Sequence, residues 1–495
     1  MVHSMRNTFA PISRIPPEIL SLIPDYWRGC DTIVTLTRVC RSWRELFILR
    51  SSLWTSLDCT NVEKTRVYIE RSKSSPLEIS LEKHHDGAYC NNALLLAAPH
   101  INRLGSLTVH GPSDILPDLN KHFNCPTPLL RKLKIDLAFD RNRPPSFPGT
   151  LFNGNLSSLR KLSLAGFTTN LPWRNLVNLT TFELYHFPGA VDPQFVTRLL
   201  DFFESAPLLS KIDLHQSIPT SSNAPLERSV SLPHLKKLSI TSQPVQSTLL
   251  NHLSIPNGAL LVIAFTFSGE NSPIPNNLPK HLNNLNNLSH ATRINLSLGG
   301  TEKFIRLNGP SGGLYMYCTW TAGNAYSHIL ERRVFRSINK FNLSQIQRLA
   351  VTKYSSPPPN EIEKSTVFQT LLLMNDLRTL TLIECNNLPF IYSLDPKKNK
   401  SDSVLCPSLE EVVLYIKKQD RFCLEELMEM ASERNGRYTK LPSITIVSLD
   451  EMCPRKEVFK LRRYVSHVEY MLDVVSPEWD TISSDEDAGD GESDW

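Results

Sequence analysis

The sequence predicts an α+β chain: a small N-terminal helical unit, then a β-α solenoid, then a disordered acidic tail. Three observations predict it. A six-position frame, apolar-x-x-apolar-x-apolar, recurs eleven times between residues 104 and 446. Amphipathic helical stretches fall between copies of the frame. The first 58 residues lack the frame and carry closely spaced helical signals instead. These features divide the chain into residues 12–58, 59–452, a capping helix in 453–476, and the acidic tail 477–495.

The first element is predicted at Ile15-Pro-Pro-Glu-Ile-Leu20. Pro16 and Pro17 pre-set the backbone for a helical turn, and Glu18 sits near its positive end. Ile15, Ile19, Leu20 and Ile23 fall on one helical face, and Pro24 interrupts that helix. Asp31 is the expected N-cap of a second helix carrying Ile33, Val34 and Leu36. A third helix is expected to place Val39, Cys40, Trp43, Leu46 and Phe47 on one side. Three short helices in about 45 residues enclose a small core, and a partner usually completes such a unit.

These residues, with Ser52-Leu-Trp-Thr-Ser-Leu57, resemble the F-box, in the form found in the large fungal family of F-box proteins with leucine-rich-repeat-like bodies. Asn61–Ser72 and Ser75-Pro-Leu-Glu-Ile-Ser-Leu81 also look like that family. The resemblance implies docking to the Skp adaptor of a cullin–RING ubiquitin ligase. The contacts it implies are Ile15, Pro16, Pro17, Ile19, Leu20, Ile23, Val39, Cys40, Trp43 and Leu46. Leu53 and Trp54 are expected to pack the unit against the first repeat. The chain departs from the family pattern at Ile15, where Leu is usual, and at Pro24, where an apolar helix former is more common.

Copies of the frame begin at Leu104, Leu130, Leu159, Leu179, Leu209, Leu235, Leu260, Ile346, Leu377, Leu409 and Leu441. This is the leucine-rich-repeat period, and Leu377, Leu380, Leu382, Cys385 and Leu388 keep more of its consensus. One unit cannot bury its apolar face, but a stack of parallel strands can. Between residues 260 and 346 two degenerate units are expected, one near Ala291–Leu296 and one near Leu314–Trp320. Helices are expected over 193–204, 365–373 and 423–433, and a terminal capping helix over 455–473. Residues 271–290 and 355–360 read as loops.

In this arrangement the non-core strand positions form a recognition face. In the first half it is Lys-rich, and the client-binding candidates are Lys132, Lys134, Lys161, Tyr185, Lys211, His215 and Lys237. An acidic or phosphorylated protein client suits them. In the second half, Thr379, Thr381, Ile383, Glu411, Val413, Tyr415, Ser443, Thr445 and Val447 offer an apolar and hydroxylic face. The net charge is +4, and residues 477–495 hold eight acids with no Lys or Arg, so the remainder carries +12.

Catalytic constellations are absent: no Gly-x-Ser-x-Gly elbow, phosphate-cradling Gly-rich loop or His-Glu-x-x-His. Ten cysteines without a Cys-x-x-Cys pair, and no secretory signal, point to reduced thiols in the cytoplasm or nucleus. The adjacent pair His84-His85 lacks further ligands. The expectation is therefore a non-enzymatic substrate receptor without metal or cofactor, with no nucleic acid or membrane as partner. A ligase-independent binding scaffold is the alternative.

Overall fold

The structure, a computed structural model, describes residues 11–26, 30–59, 61–82, 88–138, 151–154, 156–167, 176–185, 194–215, 228–242, 247–267, 285–299, 302–310, 312–320, 327–356, 365–399, 404–416, 421–437, 441–448 and 455–472. His84, His85, residues 271–284 and 357–360, and the acidic segment 477–495 lie outside them. Helices and strands alternate in a mixed α/β arrangement with a large, mostly parallel sheet. The chain forms two compact units, Met1–Phe265 with Asn276–Asn287, and Thr266–Pro275 with Leu288–Trp495.

In the first unit, β1 (Ser56–Leu57), β2 (Leu77–Glu82), β3 (Leu104–Gly111), β4 (Lys132–Leu137), β5 (Lys161–Ala165), β6 (Thr181–Tyr185) and β7 (Lys211–His215) each pair in parallel with the next. β8 (Val230–Ser231) and β10 (Leu253–Ser254), which precede β9 (Lys237–Ser242) and β11 (Leu260–Phe267) along the chain, form a separate short parallel pair. β9 joins β7 to β11, again in parallel. The apolar frame positions are buried throughout: Leu130, Leu133 and Ile135; Leu159, Leu162 and Leu164; Leu179, Phe182 and Leu184; Leu209, Ile212 and Leu214. Each such burial contributes about 1.5–3 kcal/mol. Gly166 follows β5 at φ +81°, and a Cβ there would lie 2.6 Å from the Leu137 carbonyl oxygen, so this turn requires glycine.

β11 departs from the expected phase. Leu260 pairs with Lys237, the third position of its frame, so the repeat begins two residues earlier than the sequence indicates. Leu261 and Ile263 are the buried pair. An unbroken apolar run hides its own phase, and a shift of two leaves the same strand face buried.

In the second unit, β12 (Arg293–Ser297), β13 (Glu302–Asn308) and β14 (Gly313–Trp320) form an antiparallel meander. β12 also pairs in parallel with β15 (Arg348–Thr352), which leads through β16 (Thr379–Ile383), β17 (Glu411–Ile416) and β18 (Ser443–Ser448) to β19 (His467–Leu472). Two sequence expectations are corrected here. Leu314–Trp320 is the second arm of a hairpin, not a degenerate repeat: it pairs antiparallel with β13, and Gly309 N–H donates to the Gly312 carbonyl at 2.9 Å where the two arms meet. The terminal helix stops at Leu461, and 467–472 forms a further parallel strand. Val465, Val468 and Tyr470 repeat the apolar frame, and Val465 and Val468 are buried. The helices expected over 193–204, 365–373 and 423–433 lie at Phe195–Ser205, Thr366–Leu372 and Arg421–Arg437.

The N-terminal segment folds as short helices at Pro17–Leu20, Ile23–Tyr26, Cys30–Leu36 and Arg41–Leu49. The break at Ser21–Leu22 precedes Pro24, whose ring would meet the carbonyl of Leu20 in a continuous helix. Asp31 lies within a helix already formed at Cys30, so it is not the cap. Cys40 is extended, with φ −155° and ψ 174°, and caps the helix that follows. Val39 and Cys40 are therefore outside the helix the sequence assigned to them.

Candidate functional site

The N-terminal segment separates the ten adaptor candidates into two groups. Leu20, Leu36, Trp43 and Phe47 form a buried cluster, with Ile15, Ile23, Cys40, Leu46 and Leu53 packed against it. The Trp43 and Phe47 rings meet edge-on at 5.6 Å. Pro16, Pro17, Ile19 and Val39 are exposed, Ile19 at 54% and Val39 at 52%. The sequence reading missed three further exposed apolar residues, Ile12, Leu22 and Leu49. Arg50 donates to the Ser21 carbonyl, which brings the end of the Arg41–Leu49 helix to the Ser21–Leu22 break. No periodicity could reveal this, because Leu49 sits on the polar side of its helix. These apolar side chains stay exposed on a small unit whose own core is closed without them.

Trp54 joins this segment to the helix Val62–Ser72. Its indole N–H donates to the Phe47 carbonyl at 2.9 Å, its ring meets Tyr68 edge-on at 5.0 Å, and the Arg71 guanidinium lies 4.3 Å above it. Leu53 packs against the helical cluster.

The strand register of the first unit aligns the client candidates in rows. Lys132 stands opposite Lys161, and Lys211 opposite Lys237, with Thr181 between the two pairs. Like charges directly opposite repel. Glu183 offsets part of this, 3.1 Å from the Lys161 ammonium and 3.9 Å from that of Lys211. In the third row Tyr185 stacks on His215 at 4.6 Å. His215 Nε2 lies 2.8 Å from Asp213 Oδ1. Burial works against the Asp213 charge, but the His215 contact, the Ser239 hydrogen bond and the Lys211 charge outweigh it and hold the carboxyl below the usual aspartate range. Lys132 and Lys134 are exposed, and among the described residues no ion pair includes either. The sequence reading also missed His110, 3.3 Å from Asp136 in the row of Tyr185 and His215.

In the second unit Thr379, Thr381, Glu411, Val413, Tyr415 and Ser443 are half-buried along their strands, while Ile383, Thr445 and Val447 are buried. The first six therefore remain on the accessible face. Cys385, the consensus cysteine, is buried, with its thiol facing the carbonyls of Val351 and Ile383 at 3.2 Å. Burial pushes its pKa up to about 12, which suits a structural thiol and not a nucleophile. A cleft of about 510 Å³ lies between helices, away from the strand face, with Arg66, Lys73, His100 and Arg103 in its lining. Among the described residues no cluster of His, Cys, Asp and Glu could hold a metal ion, and no helix is long and apolar enough to cross a membrane.

No protein-family model matches the sequence, and no curated protein matches it.

Proposed function

We propose that this chain is a substrate receptor of a cullin–RING ubiquitin ligase. In this reading the N-terminal segment is an F-box that docks the Skp adaptor. The parallel strands are leucine-rich-repeat-like units of a solenoid that holds a protein client, and the receptor contributes proximity and orientation rather than bond chemistry. The observation that carries the reading is the exposed apolar set Pro16, Pro17, Ile19 and Val39 above a closed core of Leu20, Leu36, Trp43 and Phe47. These are residues of the sequence motif, and folding alone gives no reason to expose them. The exposed lysines Lys132 and Lys134, with the rows of Lys161, Lys211 and Lys237, suit an acidic or phosphorylated client segment.

The division between core and surface supplies the test. Ile19→Asp with Val39→Asp leaves the core untouched, whereas replacing Trp43 would disturb core and surface together. Purified Skp adaptor is expected to bind the wild-type chain and to bind this double variant at least tenfold more weakly, with unchanged thermal unfolding. The break at Ser21–Leu22 favours a second reading, a ligase-independent binding scaffold. Failure of the folded wild type to bind the adaptor would select it.

A further inference from the structure

The hairpin of the second unit carries three aromatic rings that its core does not use. Ile305, Leu307, Leu314 and Met316 are buried on one side of β13 and β14. On the other side Phe304 pairs with Tyr317, and Arg306 with Tyr315. The Phe304 and Tyr315 centroids are 5.9 Å apart and those of Tyr315 and Tyr317 are 5.6 Å apart, and all three rings are half-exposed. On this face the register continues through β12, where Asn295 pairs with Arg306, to β15. There Arg293 stands directly opposite Arg348. Both arginines are exposed, and among the described residues no ion pair includes either. Such a like-charged pair is destabilising until an anion joins it.

An aromatic cluster bordered by arginines fits an acidic peptide that carries aromatic side chains. Guanidinium groups take carboxylates in pairs, and the rings offer edge and face contacts to an indole. The chain itself contains such a segment. Residues 477–495 hold eight acids, no Lys or Arg, Trp479 between Glu478 and Asp480, and Trp495. The segment follows β19, which belongs to the same unit. The pairing order β19, β18, β17, β16, β15, β12 places five strand spacings before β12, about 24 Å at ~4.8 Å each. Leu472 stands in the row of Ser448, five residues or about 17 Å further along the strands than the row of His467, Arg348 and Arg293, so the span is about 29 Å. Nine extended residues, Leu472 to Thr481, cover about 30 Å. The acids Asp485, Glu486 and Asp487 thus come within reach of the arginine pair, and those beyond them reach the hairpin.

We propose that the acidic segment 477–495 docks in cis on the face formed by Arg293, Arg348, Arg306, Phe304, Tyr315 and Tyr317. It thereby occupies a strand face that a client would otherwise use. The contact requires only this face and this segment, so it stands whether or not the chain serves a ligase.

The test uses full-length protein and a fluorescent synthetic peptide of residues 473–495. In one variant the segment is neutralised by Glu478→Gln, Asp480→Asn, Asp485→Asn, Glu486→Gln and Asp487→Asn. At low ionic strength this variant is expected to bind the peptide at least tenfold more tightly than wild type, whose own segment covers the face. Adding Arg293→Gln and Arg348→Gln to the neutralised variant is expected to weaken binding tenfold or more, as is adding Tyr315→Ser and Tyr317→Ser. Arg293 and Arg348 are exposed and the two tyrosines half-exposed, and unchanged thermal unfolding checks the fold. Equal binding by wild type and the neutralised variant overturns the proposal, as does no binding by either. Binding that survives the arginine changes but is lost with Lys132→Gln and Lys134→Gln also overturns it, and moves the segment to the first unit.

Discussion

Glu331 shows what a single buried charge can do in this fold. It lies on the helix Ser327–Ile338 with no exposed surface. Its carboxylate accepts from Ser355 N–H at 3.2 Å and Oγ at 2.7 Å, and from Ser356 N–H at 2.9 Å and from the Ser356 hydroxyl. A buried carboxylate persists only when hydrogen-bonded, and four donors meet that condition. It fastens the chain just after β15, where Tyr354 is also enclosed. Burial, with the Glu331 charge adding to it against the Ser356 hydrogen bond, pushes the Tyr354 hydroxyl up to about 12. Glu331→Ala strands four donors and is expected to cost on the order of 3 kcal/mol. Amide exchange at Ser355 and Ser356 should accelerate with it, and Glu331→Gln, which keeps one acceptor oxygen, should fall between. Unchanged exchange in the alanine variant would show that water satisfies the same donors. A glutamate in an amphipathic helix reads as solvent-facing, and its partners are 24–25 residues away, so the sequence carried no sign of this role.

At the scale of elements, local signals survived and distant ones did not. Pro24 announced a break, and the break is there, displaced to Ser21–Leu22. The motif Asn61–Ser72 was visible, and it forms the helix Val62–Ser72, capped by Asn61 Oδ1 accepting from Lys64 N–H at 3.0 Å. What closes its other end was not visible. The last carbonyls of a helix lack intrahelical donors, and here Arg103 supplies them from 34 residues away. Its Nη2 donates to the Ile69 carbonyl at 3.1 Å, and its Nη1 to those of Ser75, at 3.3 Å, and Lys73. Arg434 makes a similar fork in the second unit, to the carbonyls of Leu405 and Cys406 in the bend before β17, at 2.9 and 3.2 Å. Only a planar fork of several N–H groups reaches such spread acceptors. Arg103→Lys is therefore expected to destabilise by about 1–3 kcal/mol and to raise amide exchange in the last turn of Val62–Ser72 above that of its first turn. Equal change at both ends would mean that Arg103 acts by filling space.

Over the whole molecule, the eleven apolar frames made the strand positions legible because burial imposes the same three residues on every copy. Phase was lost where the run was apolar throughout, at Leu260–Phe265, and where a hairpin replaced a repeat, and the frame at Val465–Tyr470 was read as helix. The candidate recognition face was half legible. The frame located its positions, but the neutralising contacts of Glu183 with Lys161 and Lys211 depend on register between strands, which one sequence does not state. Register also governs how a local defect spreads. In the first unit each of β4 to β7 pairs only with its neighbours in the strand order, so coupling falls off along the stack. Phe182 tests this. It is fully buried in β6 and packs 4.8 Å from Phe202 on the helix Phe195–Ser205. Phe182→Ala removes a core ring and is expected to cost about 3–5 kcal/mol. Amide exchange should rise most in β5, β6, β7 and that helix, less in β4 and β9, and least in β2 and β3. A uniform rise across all these strands would mean that the unit unfolds as one cooperative block, and the nearest-neighbour account would fail.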